Sequence, residues 1–311
     1  MAINYSPFSL SEGAEAAYQR WRSWKLSVYP RSASELLVPV NNPFALSEVE
    51  QAELEQRFLR ANMAIYTINI RSDFTDKNIV QKMGQDFGLN RLDDNLGADN
   101  DNITSLQVIE GGRKQGYIPY SNLKLSWHTD GYYNLPQQQI RGVILHCANN
   151  AAQGGENALL DHEMMYIHLR DLNPAYISAL MKPEVLTIPP NIENGVEIRG
   201  AQTGPVFSVD KQTGALHMRY SARKRNIVWS DDEMTAKAVN AIDDFLASDS
   251  PWIFRHRLEP GQGLICNNVL HNRTSFKNDD EGEQQRLIYR GRYYDRLRDT
   301  SFNDVAQAMS L

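Results

Sequence analysis

The apolar positions change rhythm along this chain, and the changes mark out its elements. Residues 9–26 repeat at helical spacing, with Tyr18, Trp21 and Trp24 as the aromatic markers. Ser47-Glu48-Val49-Glu50 is a capping box, in which a hydroxyl and a carboxylate three residues apart satisfy each other's backbone N–H groups. The helix it opens runs to about Ala61 on Leu54, Phe58 and Leu59. MAIYTINI (63–70) reads as a strand, and 75–87 as an amphipathic helix ending at Gly88. From about residue 103 strands take over. In LKLSWHTD, Leu123, Leu125 and Trp127 fall on one side and Lys124, Ser126, His128 and Asp130 on the other. IRGVILHC (140–147) is a near-continuous apolar strand, followed by a loop, NNAAQGGEN, with a glycine pair. Residues 162–182 return to helical spacing, with a break near Asn173-Pro174. Short strands fit 185–229, with turns at Pro189-Pro190, Gly204-Pro205 and Thr213-Gly214. Ser230-Asp231-Asp232-Glu233 is a second capping box and opens a helix to about Ala247. WIFRHRLE, GLICNNVLH and RLIYRGRYY read as three closing strands.

This order of helices, strands, a helical insert and more strands predicts an α+β protein, mainly β with flanking helices. Strands with an inward polar face suggest a barrel or jelly roll with a wet interior, covered by helices on one outer face. Neither a repeat nor a Pro/Gly/Ser linker divides residues 1–311, so one domain is expected. Hydrophobic residues at 41% and charged residues at 23% fit a soluble chain long enough to build its core without staples. A net charge of −6 argues against a broad basic face for nucleic acid. The N-terminus lacks the basic and apolar regions of a signal peptide. Apolar runs fall short of the roughly 20 residues that span a bilayer. Cys147 and Cys266 lie in apolar runs and read as buried free thiols of a reducing compartment. The expected setting is the cytoplasm and the expected partner a small molecule. Nothing in the charge or length distinguishes a monomer from a homo-oligomer.

The chemistry starts at WHTDG. Residues i and i+2 on a strand point the same way, so His128 and Asp130 can reach one ion together. Gly131 lets the backbone turn beside them. A third ligand must come from elsewhere, and His271, at the end of a later strand, is the best candidate. Two neutral imidazoles and one carboxylate form the facial triad of non-haem iron(II) oxygenases, with adjacent open positions for a co-substrate and O₂. A bare His-x-Asp is common, and it is the strand context and the later histidine that give it weight. On the next strand, Arg286 offers a planar fork matched to the far end of a dicarboxylate co-substrate. Arg290 and Arg292 share its parity and can also face inward, although Arg292, like Arg296, reads more simply as a solvated edge charge.

Together WHTDG, GGEN, NNVLHNRTSF and RLIYR resemble, in order over about residues 60–296, the taurine dioxygenase-like (TauD/TfdA) family of iron(II)/2-oxoglutarate oxygenases. The resemblance implies a double-stranded β-helix core with the metal at one open end. It implies His128, Asp130 and His271 as iron ligands and Arg286 on the distal carboxylate of 2-oxoglutarate. Asn157 stands where the family often has Thr or Ser in contact with 2-oxoglutarate, and Asn272 where it often has Gly. Arg290 matches a position that meets an anionic substrate group in some members. The implied reaction uses O₂ and 2-oxoglutarate, releases succinate and CO₂, and hydroxylates a small polar or anionic metabolite. Related halogenases lack the carboxylate that Asp130 supplies, so hydroxylation is favoured over halogenation. The rival readings are a cupin-like metalloenzyme that does not use 2-oxoglutarate, and a non-catalytic 2-oxoglutarate sensor; Arg286 and GGEN weigh against the first, and the intact triad against the second.

The other polar candidates are weaker. Tyr132 and Tyr133 follow the ligand pair and could line the mouth of the site. Residues 219–225 are locally basic and read mainly as a solvated face, with Arg219 and Tyr220 kept as substrate candidates. His146 reads as a satisfied core residue, His256 as surface, and His162, His168 and His217 as helix or turn residues without metal spacing.

Overall fold

Nearly every β-residue near the centre of the molecule is buried on both sides, and this follows from how its main sheet is sandwiched. The computed structural model describes residues 6–68, 75–94, 99–109, 111, 117–279 and 285–310. Its largest sheet runs in the order Leu37–Val40, Met63–Ile68, Gln262–Cys266, Gly142–Asn149, Leu287–Tyr293 and Thr104–Leu106. The first pair is parallel and the rest are antiparallel. Ala64, Tyr66, Ile144 and Ile265 face an outer cluster with Phe58, Val80, Met83 and Phe87 from the helices Glu48–Ala61 and Asn78–Asp86. Met63, Ile65, Val143, Leu145, Leu264 and Cys266 face the inner core. Alternate residues therefore enter different apolar layers, which is why MAIYTI and GVILHCA read as continuous apolar runs.

A second, four-stranded antiparallel sheet runs Phe254–His256, Asn157–Leu160, Leu270–Arg273 and Leu125–His128. The helices His162–Leu172, Pro174–Leu180 and Glu233–Ala247 pack on one another. Among the described residues no helix is long and apolar enough to cross a membrane.

Most predicted elements form with small shifts. The first helix runs Glu15–Val28, and the Ser47 box caps Glu48–Ala61 as expected. The strand predicted over 63–70 covers Met63–Ile68, and its last two positions lie outside the described residues. The helical break falls at Asn173, which caps the helix behind Pro174. Cys147 and Cys266 are buried free thiols.

Three expectations fail for local reasons. At the second capping box the cap is Asp232, whose carboxylate accepts from Met234 and Thr235 N–H, so the serine is displaced by a better-placed oxygen. GLICNNVLH is two strands in two sheets, because Asn268 adopts a left-handed φ of 51° and turns the chain between them. Leu123 lies before its strand and is 60% exposed, so the apolar side of LKLSWHTD is shorter than its alternation suggests.

Candidate metal centre

His128 and His271 end up opposite each other because the strands Leu125–His128 and Leu270–Arg273 pair antiparallel with these two residues in register. Their rings lie 4.3 Å apart between centroids. Each Nδ1 is 2.9–3.0 Å from a carbonyl two residues back, Ser126 for His128 and Val269 for His271. A carbonyl only accepts, so each Nδ1 carries the proton and each Nε2 keeps its lone pair for a ligand.

Asp130 completes the group but not as the strand parity predicts. The strand ends at His128, and Asp130 sits in the following turn. Gly131, at φ +65°, makes that turn, and a Cβ there would fall 2.4 Å from Ile140 Cγ1. One ligand atom from each of His128, Asp130 and His271 lies within 4.8 Å of the others, and all three residues are buried. Asp130 Oδ1 accepts from Arg290 Nη1 at 3.0 Å, while Oδ2 is buried without a partner.

The electrostatics suit a cation. Burial and the neighbouring His271 push His128 down to about 3, so it is neutral. Burial opposes the charged form of Asp130, but Arg290, with His271, Arg292 and His128, holds it well below the usual carboxylate range. Two imidazoles with free Nε2 lone pairs and an ionised carboxylate with one oxygen lacking a donor are the donor set that a divalent iron takes.

The larger of two cavities borders this centre through Asp130, and none of the three residues of the centre lines the smaller. The smaller, about 240 Å³, is lined by Cys147, Gly155, Asn157, Arg257, Arg286 and Ile288 among others. Arg286 precedes its strand, is 7% exposed, and rests over the Phe276 ring with Cζ 5.1 Å from the centroid. Its Nη1 has no partner, and no carboxylate among the described residues pairs with it. Burial alone pulls it down to about 10, still fully charged at neutral pH. A buried guanidinium with an open donor is a receptor for an anion. Asn157 opens its strand nearby and donates Nδ2–H to Asn272 O at 3.0 Å. Asn272 Oδ1 in turn accepts from Ala158 N–H, so this asparagine ties the two strands.

The larger cavity, about 420 Å³, is lined by Asp130, Tyr132, Gln202, His217 and Arg219 among others. Arg219 is buried and donates to the carbonyls of Tyr132, Leu186, Gly204 and Gln202 at 2.7–3.4 Å. It staples the cavity wall and is no part of a solvated face. Tyr132 packs edge-on against Tyr133.

Arg292 overturns the expectation of a solvated charge. It is 2% exposed, ion-paired to Asp93 and bonded to Tyr133 Oη at 2.8 Å. Arg296 is half-buried and donates to Asn62 Oδ1 and Thr300. His146 is buried against Tyr66 Oη at 2.8 Å, as expected of a core residue. His217 lies on a strand, Leu216–Met218, and reaches the larger cavity, a placement its neighbouring residues did not signal.

The model of the taurine catabolism dioxygenase TauD, TfdA family matches residues 33–292. A trimethyllysine dioxygenase of Meyerozyma guilliermondii is 26% identical over 167 residues, which is 50% of this chain but only 40% of that protein. A uridine-5'-phosphate dioxygenase of a Streptomyces species is 27% identical over 216 residues, covering 66% of this chain and 75% of that one. The fold matches the non-heme iron oxygenase OrfP, solved with Fe, succinate and (3S)-hydroxy-L-Arg, at TM-score 0.58 and 17% identity over 91% of this chain and 92% of OrfP.

Proposed function

The chain belongs to the TauD, TfdA family of iron(II)- and 2-oxoglutarate-dependent dioxygenases, and from that premise we propose that it hydroxylates a small polar or anionic metabolite with release of succinate and CO₂. The observation that carries this reading is the buried grouping of His128, Asp130 and His271 within 4.8 Å, with both Nδ1 positions already committed to carbonyls.

His128, Asp130 and His271 hold the iron. Arg286 grips the distal carboxylate of 2-oxoglutarate in the smaller cavity, and Asn157 lies along the same pocket. Once bound, iron and 2-oxoglutarate would supply the oxidising power that turns O₂ into a hydroxyl donor. The protein's own share is orientation and charge. Arg290 holds one oxygen of Asp130 and leaves the other for the metal, so Arg290 acts first on a ligand and can meet substrate only from there. The substrate enters the larger cavity, against Tyr132 and the wall stapled by Arg219. Asp130 fills the position that a halide would need, which favours hydroxylation. The six- and four-stranded sheets are read as the two halves of a double-stranded β-helix, and residues 1–311 as one cytoplasmic domain. That domain acts on a small molecule, with no nucleic acid or membrane as partner, as a monomer or a homo-oligomer.

The test is succinate release from 2-oxoglutarate, with and without iron(II) and ascorbate, across a panel of amino acids, nucleotides and small organic acids. The expected result is iron-dependent succinate that rises with at least one compound of the panel. Succinate at the blank level throughout would overturn the reading.

A further inference from the structure

We propose that Asn268 is a positioning residue that sets Asp130 for iron by clamping its peptide groups, an inference that rests on the metal site described above. Asp130 lies two residues past the end of its strand, so no sheet ladder holds it. Its backbone is held instead by one side chain. Asn268 Oδ1 accepts from Asp130 N–H at 2.8 Å. Asn268 Nδ2 donates to Asp130 O at 2.9 Å and to Ile140 O at 2.6 Å. Only a primary amide supplies one acceptor and two donors in this fork. The residue is 2% exposed, so water does not substitute for it.

The position of Asn268 in the chain gives the clamp its use. It sits at the left-handed turn that separates the strands Gln262–Cys266 and Leu270–Arg273, three residues before His271. The turn that launches one ligand therefore fixes another ligand from a distant part of the sequence. Its neighbour Asn267 anchors the same turn to the opposite side. Asn267 N–H donates to Asn62 O at 2.8 Å, and its Nδ2 donates to Asn62 Oδ1 and Thr300 Oγ1 at 2.9 and 3.2 Å. Asn267 Oδ1 accepts from Leu297 N–H at 3.0 Å. Asn267 thus ties the turn to the scaffold, and Asn268 ties it to the metal ligand.

This division supplies its own control. Asn268→Gly keeps a residue that accepts positive φ and removes the clamp. Asn268→Asp keeps the acceptor and loses both donors. Asn267→Ala removes equally buried hydrogen bonds from the same turn without touching Asp130. Iron(II) affinity is read anaerobically from the visible band formed with 2-oxoglutarate, and folding from the thermal melt of the metal-free full-length protein. N268G and N268D are expected to bind iron about 10- to 100-fold more weakly, the usual effect of losing an outer-shell support. N267A is expected to melt earlier yet to keep the wild-type iron affinity. Wild-type iron affinity in a folded N268G or N268D protein overturns the clamp, and so does an equal loss of affinity in N267A. A wild-type protein that forms no band overturns the metal site itself, and a wild-type band with unaffected variants overturns only the role of Asn268.

Discussion

Arg286 is a single residue whose function can be isolated. It is buried, charged and short of a partner, so its interaction with a carboxylate is poorly screened. A hydrogen bond to a charged group contributes about 1.5–3 kcal/mol, which is about 10- to 150-fold in affinity. We expect Arg286→Gln to raise the 2-oxoglutarate concentration for half-maximal succinate release by that range. Iron binding without 2-oxoglutarate, followed by titration calorimetry, should be unchanged. An unaltered 2-oxoglutarate dependence would remove Arg286 from the pocket. The residue identities at this centre were legible because few side chains can do the work: a lone pair at an imidazole, a carboxylate and a planar fork. What the sequence does not carry is the company each residue keeps. Arg292 reads as an edge charge until Asp93, almost two hundred positions earlier, turns out to be its buried partner. Arg219 reads as part of a basic run until four carbonyls, three from a pair of strands and one from the turn at Tyr132, converge on it. Asp130 sits beyond its strand because Gly131 turns the chain, an effect that two-residue alternation overlooks.

At the scale of elements, the first helix is held to the molecule by a buried ion cluster as well as by Tyr18 and Trp21. Lys25, fully buried, pairs with Asp161 at 2.7 Å and Glu163 at 2.5 Å. Asp161 also caps the helix His162–Leu172 and accepts from Asn62 Nδ2 at 3.0 Å. Breaking such a cluster from one side leaves buried charge without compensation, so Lys25→Met should cost about 3–5 kcal/mol in chemical unfolding. The pH dependence has a definite sign. Burial works to raise the Glu163 pKa, but Lys25 outweighs it and the pKa is lowered. Its contribution is therefore full above the unfolded glutamate pKa of about 4.3 and is lost as pH falls through the folded value. In the Lys25→Met protein Glu163 keeps its burial but loses that cation, and protonation relieves it. The melting-temperature gap between the two proteins should thus narrow as pH drops from 7 toward 4; a constant gap would mean that the ion pairs contribute little. Local chemistry made some elements easy to read, as at the Ser47 box, where cap and partner are neighbours. The split of GLICNNVLH was not legible, because a left-handed asparagine inside an apolar run resembles a continuing strand.

Across the whole molecule, strand order joins what the sequence separates: His128 and His271 become direct neighbours only through the pairing of two strands from opposite halves of the chain. That arrangement gathers an ionised carboxylate with an unpartnered oxygen and two imidazole lone pairs among buried residues. A divalent ion relieves all three at once and has no comparable site in the unfolded chain. Its binding must therefore raise global stability, by about 2.7 kcal/mol at a free concentration one hundred times the dissociation constant. We expect the melting temperature to rise with anaerobic iron(II), to rise further with 2-oxoglutarate, and to return to its starting value with a chelator. Zinc fits the same ligands but has no redox chemistry, so it should raise the melting temperature while succinate release stays at the blank level. The two measurements separate ion binding from oxygen chemistry. A zinc shift without an iron shift would point to a different resident metal, and no shift with either ion would mean that the three ligands do not act as one site.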